Sequence, residues 1–148
     1  MQRGGLLRLT GGVASVTILL LGSLIAGPGS ASAAPSPKLT VTPSTGLNNG
    51  ETVIIRGTGF KAKDVVFLVE CLRKAQGSAQ CRVVGIPPSA TITAAGVLVP
   101  TKFVVTTGKV GSGVCGTKPT NLSSCDLSAG NANGGDSATA PITFANKK

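Results

Sequence analysis

Val65-Val66-Phe67-Leu68-Val69-Glu70-Cys71-Leu72 is a continuous apolar run broken only by Glu70. Its length and β-branched content favour a strand over a helix, and a strand that is apolar at nearly every position is covered on both faces, as in the middle of a sandwich. Working outward, the neighbouring apolar clusters are short, rich in Val, Ile and Thr, and bounded by Gly, Pro, Asn and Ser at spacings too close for intervening helices. Leu39 and Val41 alternate with Lys38, Thr40 and Thr42; Pro43-Ser44-Thr45-Gly46 and Asn48-Asn49-Gly50 then turn the chain into a second strand, Thr52 to Arg56. Further strands are expected around Cys81–Val84, Ala90–Thr93, Val97–Thr106, Ser124–Ser128 and Ala140–Ala145, with Pro100 marking an edge or a bulge. The segment from Gly130 to Asp136, GNANGGD, reads as a flexible surface loop. The expected fold is all-β: a seven-stranded immunoglobulin-like antiparallel sandwich with Greek-key connections.

The first residues belong to a different category. Arg3 and Arg8 precede an apolar run from Val13 to Ala26, Pro28-Gly29 breaks it, and Ala31-Ser32-Ala33 follows as an A-x-A cleavage pattern. The run is shorter than the ~20 residues that span a bilayer, so residues 1–33 are expected to be a secretory signal rather than a retained membrane anchor. Removing 33 of 148 residues leaves 115, and removing two of the 14 basic side chains leaves 12 against 5 acidic ones, a formal charge of +7. Residues 34–148 are thus expected to form one small secreted domain, a size that buries roughly 65% of its unfolded surface.

Export also supplies the oxidising compartment in which disulfides persist. Cys71 with Cys81, and Cys115 with Cys125, are the two local pairs among three connectivities. The local pairing is expected because each bridge closes a short loop, stabilising the chain by about 2–3 kcal/mol. Cys71 lies on the central strand, whereas the loop after Cys115 is rich in Gly and Ser; Cys71→Ser is therefore expected to cost more than Cys115→Ser. A Cys₄ zinc site normally needs C-x₂₋₄-C knuckles, which neither half has, and no metal is expected.

The sequence has no histidine, which excludes Ser-His-Asp and Cys-His catalysis. Its five carboxylates, Glu51, Asp64, Glu70, Asp126 and Asp136, are scattered and are expected to be solvated, with Glu70 facing solvent or pairing with Arg82. Without paired acids the chain is not expected to be an enzyme. Lys61, Lys63, Arg73, Lys74, Arg82, Lys102, Lys109, Lys118, Lys147 and Lys148 suit a phosphate-bearing or otherwise anionic partner, and sign alone does not choose among them. Phe60, Phe67, Phe103 and Phe144 are too scattered for a base-stacking platform and are expected in the core. Asn121-Leu122-Ser123 matches a glycosylation acceptor, a three-residue pattern with little specificity.

Val41-Thr42-Pro43-Ser44-Thr45-Gly46-Leu47, Gly50, Gly57-Thr58-Gly59-Phe60 and the Cys71/Cys81 spacing together resemble the first half of a neocarzinostatin-family apoprotein. Ser124-Cys125-Asp126-Leu127, the Gly/Asn-rich loop and Ile142-Thr143-Phe144 resemble its last two strands. The resemblance implies an exported carrier whose cleft holds and protects a non-covalent enediyne chromophore that cleaves DNA. Arg73, Ile86, Ser128 and Gly130 stand at positions that match family cleft residues. Arg73 replaces a Trp of the family pattern, and the hairpin before Cys115 carries no aromatic residue. An arginine in the cleft would favour a ligand with an acidic or aromatic face, and Arg73→Trp is expected to improve binding of a neutral aromatic probe. Two functions follow: a monomeric carrier of a small apolar ligand that reaches DNA through that ligand or by non-specific charge, or a ligand-free basic module adhering to an anionic cell envelope or nucleic acid.

Overall fold

Strand pairing sorts the alternating side chains into a sealed interior and two outer faces. The computed structural model describes residues 36–146, so the expected signal segment, residues 1–33, and Lys147 and Lys148 lie outside the described residues. The chain runs β1 (Lys38–Thr42), β2 (Thr52–Thr58), β3 (Val65–Leu72), β4 (Cys81–Arg82), β5 (Ser89–Thr91), β6 (Leu98–Val104), β7 (Gly108–Val110), β8 (Gly113–Cys115), β9 (Cys125–Gly130) and β10 (Ser137–Ile142). One sheet has the order β1-β2-β6, the other β10-β9-β3-β4 with β5 also on β3, and β7-β8 form a separate hairpin. All these pairings are antiparallel. Among the described residues the first sheet thus holds three strands and the second five.

The two sheets meet through Leu39, Val41, Val53, Ile55 and Leu98 on one side and Val66, Leu68, Leu127, Ala129, Ala138, Ala140 and Ile142 on the other, all buried. Phe60 and Phe144 close the core and the half-buried Phe103 packs against it, so of the four phenylalanines expected inside only Phe67, on the outer face of β3, departs. Gly57 lies against the Phe60 ring, where any Cβ would overlap it, so the close approach of β2 to the following loop demands glycine.

Three local expectations need correction. The last strand begins at Ser137 rather than Ala140, and Thr143–Ala145 instead crosses to the β1–β2 connection, where Thr143 N donates to Ser44 O and Ala145 N to Leu47 O. The Gly130–Asp136 segment is pinned at both ends. Gly130 belongs to β9, Asn131 Nδ2 donates to Asp64 Oδ2 at 2.8 Å, and the buried Asp136 accepts the Lys61 backbone N–H at 2.8 Å. Both disulfides are local, Cys71–Cys81 and Cys115–Cys125, but Cys115 and Cys125 are fully buried within the core, so the exposed-loop premise for the unequal cost fails.

Candidate functional site

β3 explains the site because its two faces meet different surroundings. Val66, Leu68 and Glu70 point into the sandwich, while Phe67, Val69 and Cys71 point outward. Cross-strand register sets Gly130 beside Phe67, Ser128 beside Val69 and Asp126 beside Cys71, and β10 continues the same face with Ser137 and Thr139. Small side chains on β9 and β10 beside larger ones on β3 leave a trough rather than a flat sheet.

Loops raise its walls. Ala75–Ser78 and the Cys71–Cys81 bridge stand at one end, Val83 and Pro87 along the β4–β5 edge, and Asn131, Ala132 and Gly134 across the other end, enclosing a groove of about 590 Å³. That volume lies within the range of ~300–1,000 Å³ typical of small-ligand sites, and the lining is mainly apolar with a few hydroxyl and amide groups. A second hollow, about 290 Å³, lies between Leu47, Thr107, Lys118 and Phe144 and is lined by more amide and hydroxyl groups for its size.

Of the four cleft residues read from sequence, Ser128 and Gly130 line this groove. Arg73 does not: its Nε lies 3.3 Å from Asp126 Oδ1, and one guanidinium nitrogen donates to the carbonyls of Cys125 and Ile142, each at 3.5 Å. Ile86 sits on the rim loop, 91% exposed, while its neighbour Pro87 turns in. The hairpin β7–β8 contributes no lining residue among those described, because it packs lower down. Gly111, at φ +52°, is pressed so close to the backbone of Ala79 and Gln80 that a Cβ would overlap the Ala79 carbonyl oxygen, and Gly113 rests on the Leu72 side chain. The floor residues Phe67 and Val69 were not read as site residues. Their signal was the doubly apolar pattern of β3, which demands cover on the second face but does not say whether protein or ligand supplies it.

None of the five carboxylates is simply solvated. Glu51 accepts from the backbone and side-chain amides of Asn48, Asp64 from Val65 N and Asn131, Asp126 from Lys74 N, and Asp136 from Lys61 N. Of the two alternatives read for Glu70, the Arg82 pairing is the one observed, but the carboxylate is not at the surface: it is 1% exposed, on the core face of β3. Its Oε2 accepts from the Thr106 backbone N–H at 3.2 Å and hydroxyl at 3.4 Å and lies 3.7 Å from Arg82 Nε, tying the floor strand to the segment after β6. Arg82 in turn donates to the carbonyls of Thr106 and Thr107. Burial pushes the Glu70 pKa above its ordinary value, outweighing the Thr106 hydrogen bonds and the attraction of Arg82. Its carboxylate also clusters with the sulfurs of Cys115 and Cys125, but these are joined to each other and have no thiolate to offer a metal.

The described residues thus form an all-β sandwich of immunoglobulin-like architecture with an open, mostly apolar groove on its outer face. The chain belongs to the neocarzinostatin family, whose sequence profile matches residues 39–144. Among solved structures it is similar to macromomycin, at 30% identity and a TM-score of 0.56, covering 74% of this chain and 100% of that one. Apokedarcidin, known from its solution conformation, is 28% identical with a TM-score of 0.48, covering 74% of this chain and 99% of that one. No curated protein sequence matches the chain.

Proposed function

We propose that this protein is a non-enzymatic carrier, exported after cleavage behind Ala33, that holds a small, largely apolar molecule of the enediyne-chromophore class in the groove over β3, β9 and β10. The observation that supports it best is the groove itself: Phe67 and Val69 form an apolar floor that the described chain leaves only half-buried. Membership of a family whose resemblance implied chromophore carriage points the same way. Phe67 and Val69 would supply contact area, Ser128 and Gly130 room and a hydroxyl for orientation, and the loop Asn131–Gly134 a polar edge. Action on DNA would then belong to the ligand rather than to a base-reading element of the protein.

Titration with a fluorescent polycyclic probe tests this reading. Phe67→Ala should weaken probe binding about tenfold, the loss expected from removing roughly 60 Å² of apolar contact at about 25 cal/mol per Å². Arg73→Trp should change binding less than twofold, because the Arg73 side chain is directed to Asp126 and not into the groove, which reverses the expectation drawn from sequence. If wild type binds no probe, and organic extraction of protein from its natural host yields no small molecule, the carrier reading is lost and adhesion to an anionic envelope takes its place.

A further inference from the structure

The second hollow, about 290 Å³, shares no lining residue with the groove. Segments far apart in sequence meet around it, and hydrogen bonds latch each to the next. Leu47 N donates to Thr143 O at 3.1 Å and Ala145 N to Leu47 O at 2.8 Å, joining the β1–β2 connection to the segment after β10, and Phe144 N donates to Leu122 O at 2.9 Å. Thr107 N donates to Asn49 Oδ1 at 2.8 Å. After β8, Asn121 Oδ1 accepts from Thr117 N and Lys118 N, each at 2.9 Å, while its Nδ2 donates to Thr117 Oγ1 at 3.1 Å. The walls are thus fixed before any ligand arrives, as in a preformed site, and the volume stands at the small end of the ~300–1,000 Å³ range of ligand pockets.

Floor and rim differ in chemistry. Leu47, Leu122 and Phe144 make the floor apolar, while the rim offers donors. The latch to Thr107 uses the Asn49 side-chain oxygen, which leaves Asn49 Nδ2, the Thr107 hydroxyl and the Lys118 ammonium with no hydrogen-bond partner among the described residues. No carboxylate lines the hollow: Glu51 turns to Asn48, and Glu70 to Thr106 and Arg82. One ammonium and two neutral donors above an apolar floor match an organic anion with a compact apolar body, because charge-assisted hydrogen bonds to its carboxylate add to the burial of its own ring. An inorganic anion would leave the floor unused, and a neutral molecule would leave Lys118 without a counter-charge.

We propose that this hollow is a second binding site, for a small monocarboxylate with a compact apolar body, the carboxylate at Lys118, Thr107 and Asn49 and the body on Leu47, Leu122 and Phe144. The site is independent of what the groove holds. Benzoate and its neutral counterpart benzamide are the probes, titrated into the protein while amide chemical shifts are followed by NMR. Benzoate should give saturable shifts at Thr107, Thr117, Lys118 and Ala145, whatever it does at Phe67, Ser128 and Gly130 in the groove, and should bind there about fivefold or more tightly than benzamide. Lys118→Ala keeps the backbone N–H that donates to Asn121, so the wall stays in place and benzoate should fall to about the benzamide level. Lys118→Glu should weaken benzoate further and leave benzamide unchanged. Shifts confined to the groove, shifts that never saturate, equal affinity of the two probes, or a benzoate preference that survives Lys118→Ala would each overturn the proposal. None of these results bears on the carrier reading, which the polycyclic probe and Phe67→Ala test at the groove.

Discussion

Replacing Cys115 and Cys125 together by alanine should lower the unfolding free energy by about 3–5 kcal/mol, and replacing Cys71 and Cys81 by about 2–3 kcal/mol. The two bridges have the same sequence separation, 10, so the constraint each places on the unfolded chain is the same. What differs is the folded side. Cys115 and Cys125 are 0% exposed and belong to the main core cluster, so losing their sulfurs opens a cavity against Leu72 and Ile142, whereas Cys81 is half-buried at the groove wall. Urea unfolding of both double variants checks this, and equal midpoints or the opposite order would refute it. The groove adds a second readout: the Cys71/Cys81 variant should lose probe binding more than its stability loss explains, because that bridge lines the groove and the other does not.

Glu70→Leu should destabilise the fold by about 3 kcal/mol, a fall in Tm of roughly 12–20 °C for a domain near this size. It removes the acceptor for the Thr106 N–H and leaves the half-buried Arg82 without its counter-charge. Adding Arg82→Leu should restore at least half of the loss, since a buried ion pair replaced as a unit by apolar side chains is often neutral or better. Failure of the second substitution to recover anything would show that the cost lies in packing against Cys115 and Cys125 rather than in the unpaired charge.

The same residue makes stability depend on pH. The folded state raises the Glu70 pKa above its ordinary value of 4.5, so protonation of Glu70 is more favourable in the folded protein than in the unfolded chain. That contribution is fully present below about pH 4.5 and is lost as pH rises through the folded pKa. Asp64 runs the other way: hydrogen bonds from Asn131 and Val65 hold its pKa below 3.8, and its contribution is lost as pH falls through that lower value. Unfolding midpoints of wild type should therefore decline from pH 4.5 towards neutrality, and Glu70→Gln should flatten that decline while leaving the acid limb intact. An unchanged slope in Glu70→Gln would assign the decline to another group.

Much of the architecture was legible because it rests on local chemistry. β-Branched runs separated by turn residues can satisfy their backbone only in sheets, and the doubly apolar β3 had to lie centrally. Two nine-residue cysteine spacings suited two local bridges, and the order of short motifs from Val41 to Phe144 was enough to suggest the family to which the chain belongs. Strand ends were read less well, as at β10, because Thr143–Ala145 is extended in either case and only the position of the β1–β2 connection decides which partner it takes.

The side-chain destinations were settled by tertiary structure. Alternation places Glu70 opposite Cys71 in either reading, but whether its face meets solvent or core depends on which sheet lies beneath, and pairing fixes that only after β9 has docked along β3. The same step turns Phe67 and Val69 from core candidates into a groove floor, since Ser128 and Gly130 arrive beside them too small to fill the space. Arg73 is drawn off the groove by Asp126, 53 residues later in sequence, an attraction that no local pattern encodes. Sequence by itself determined which segments are extended and which are apolar. Which of two apolar faces becomes interior and which becomes a binding surface was decided only when segments far apart in the chain competed for the same space.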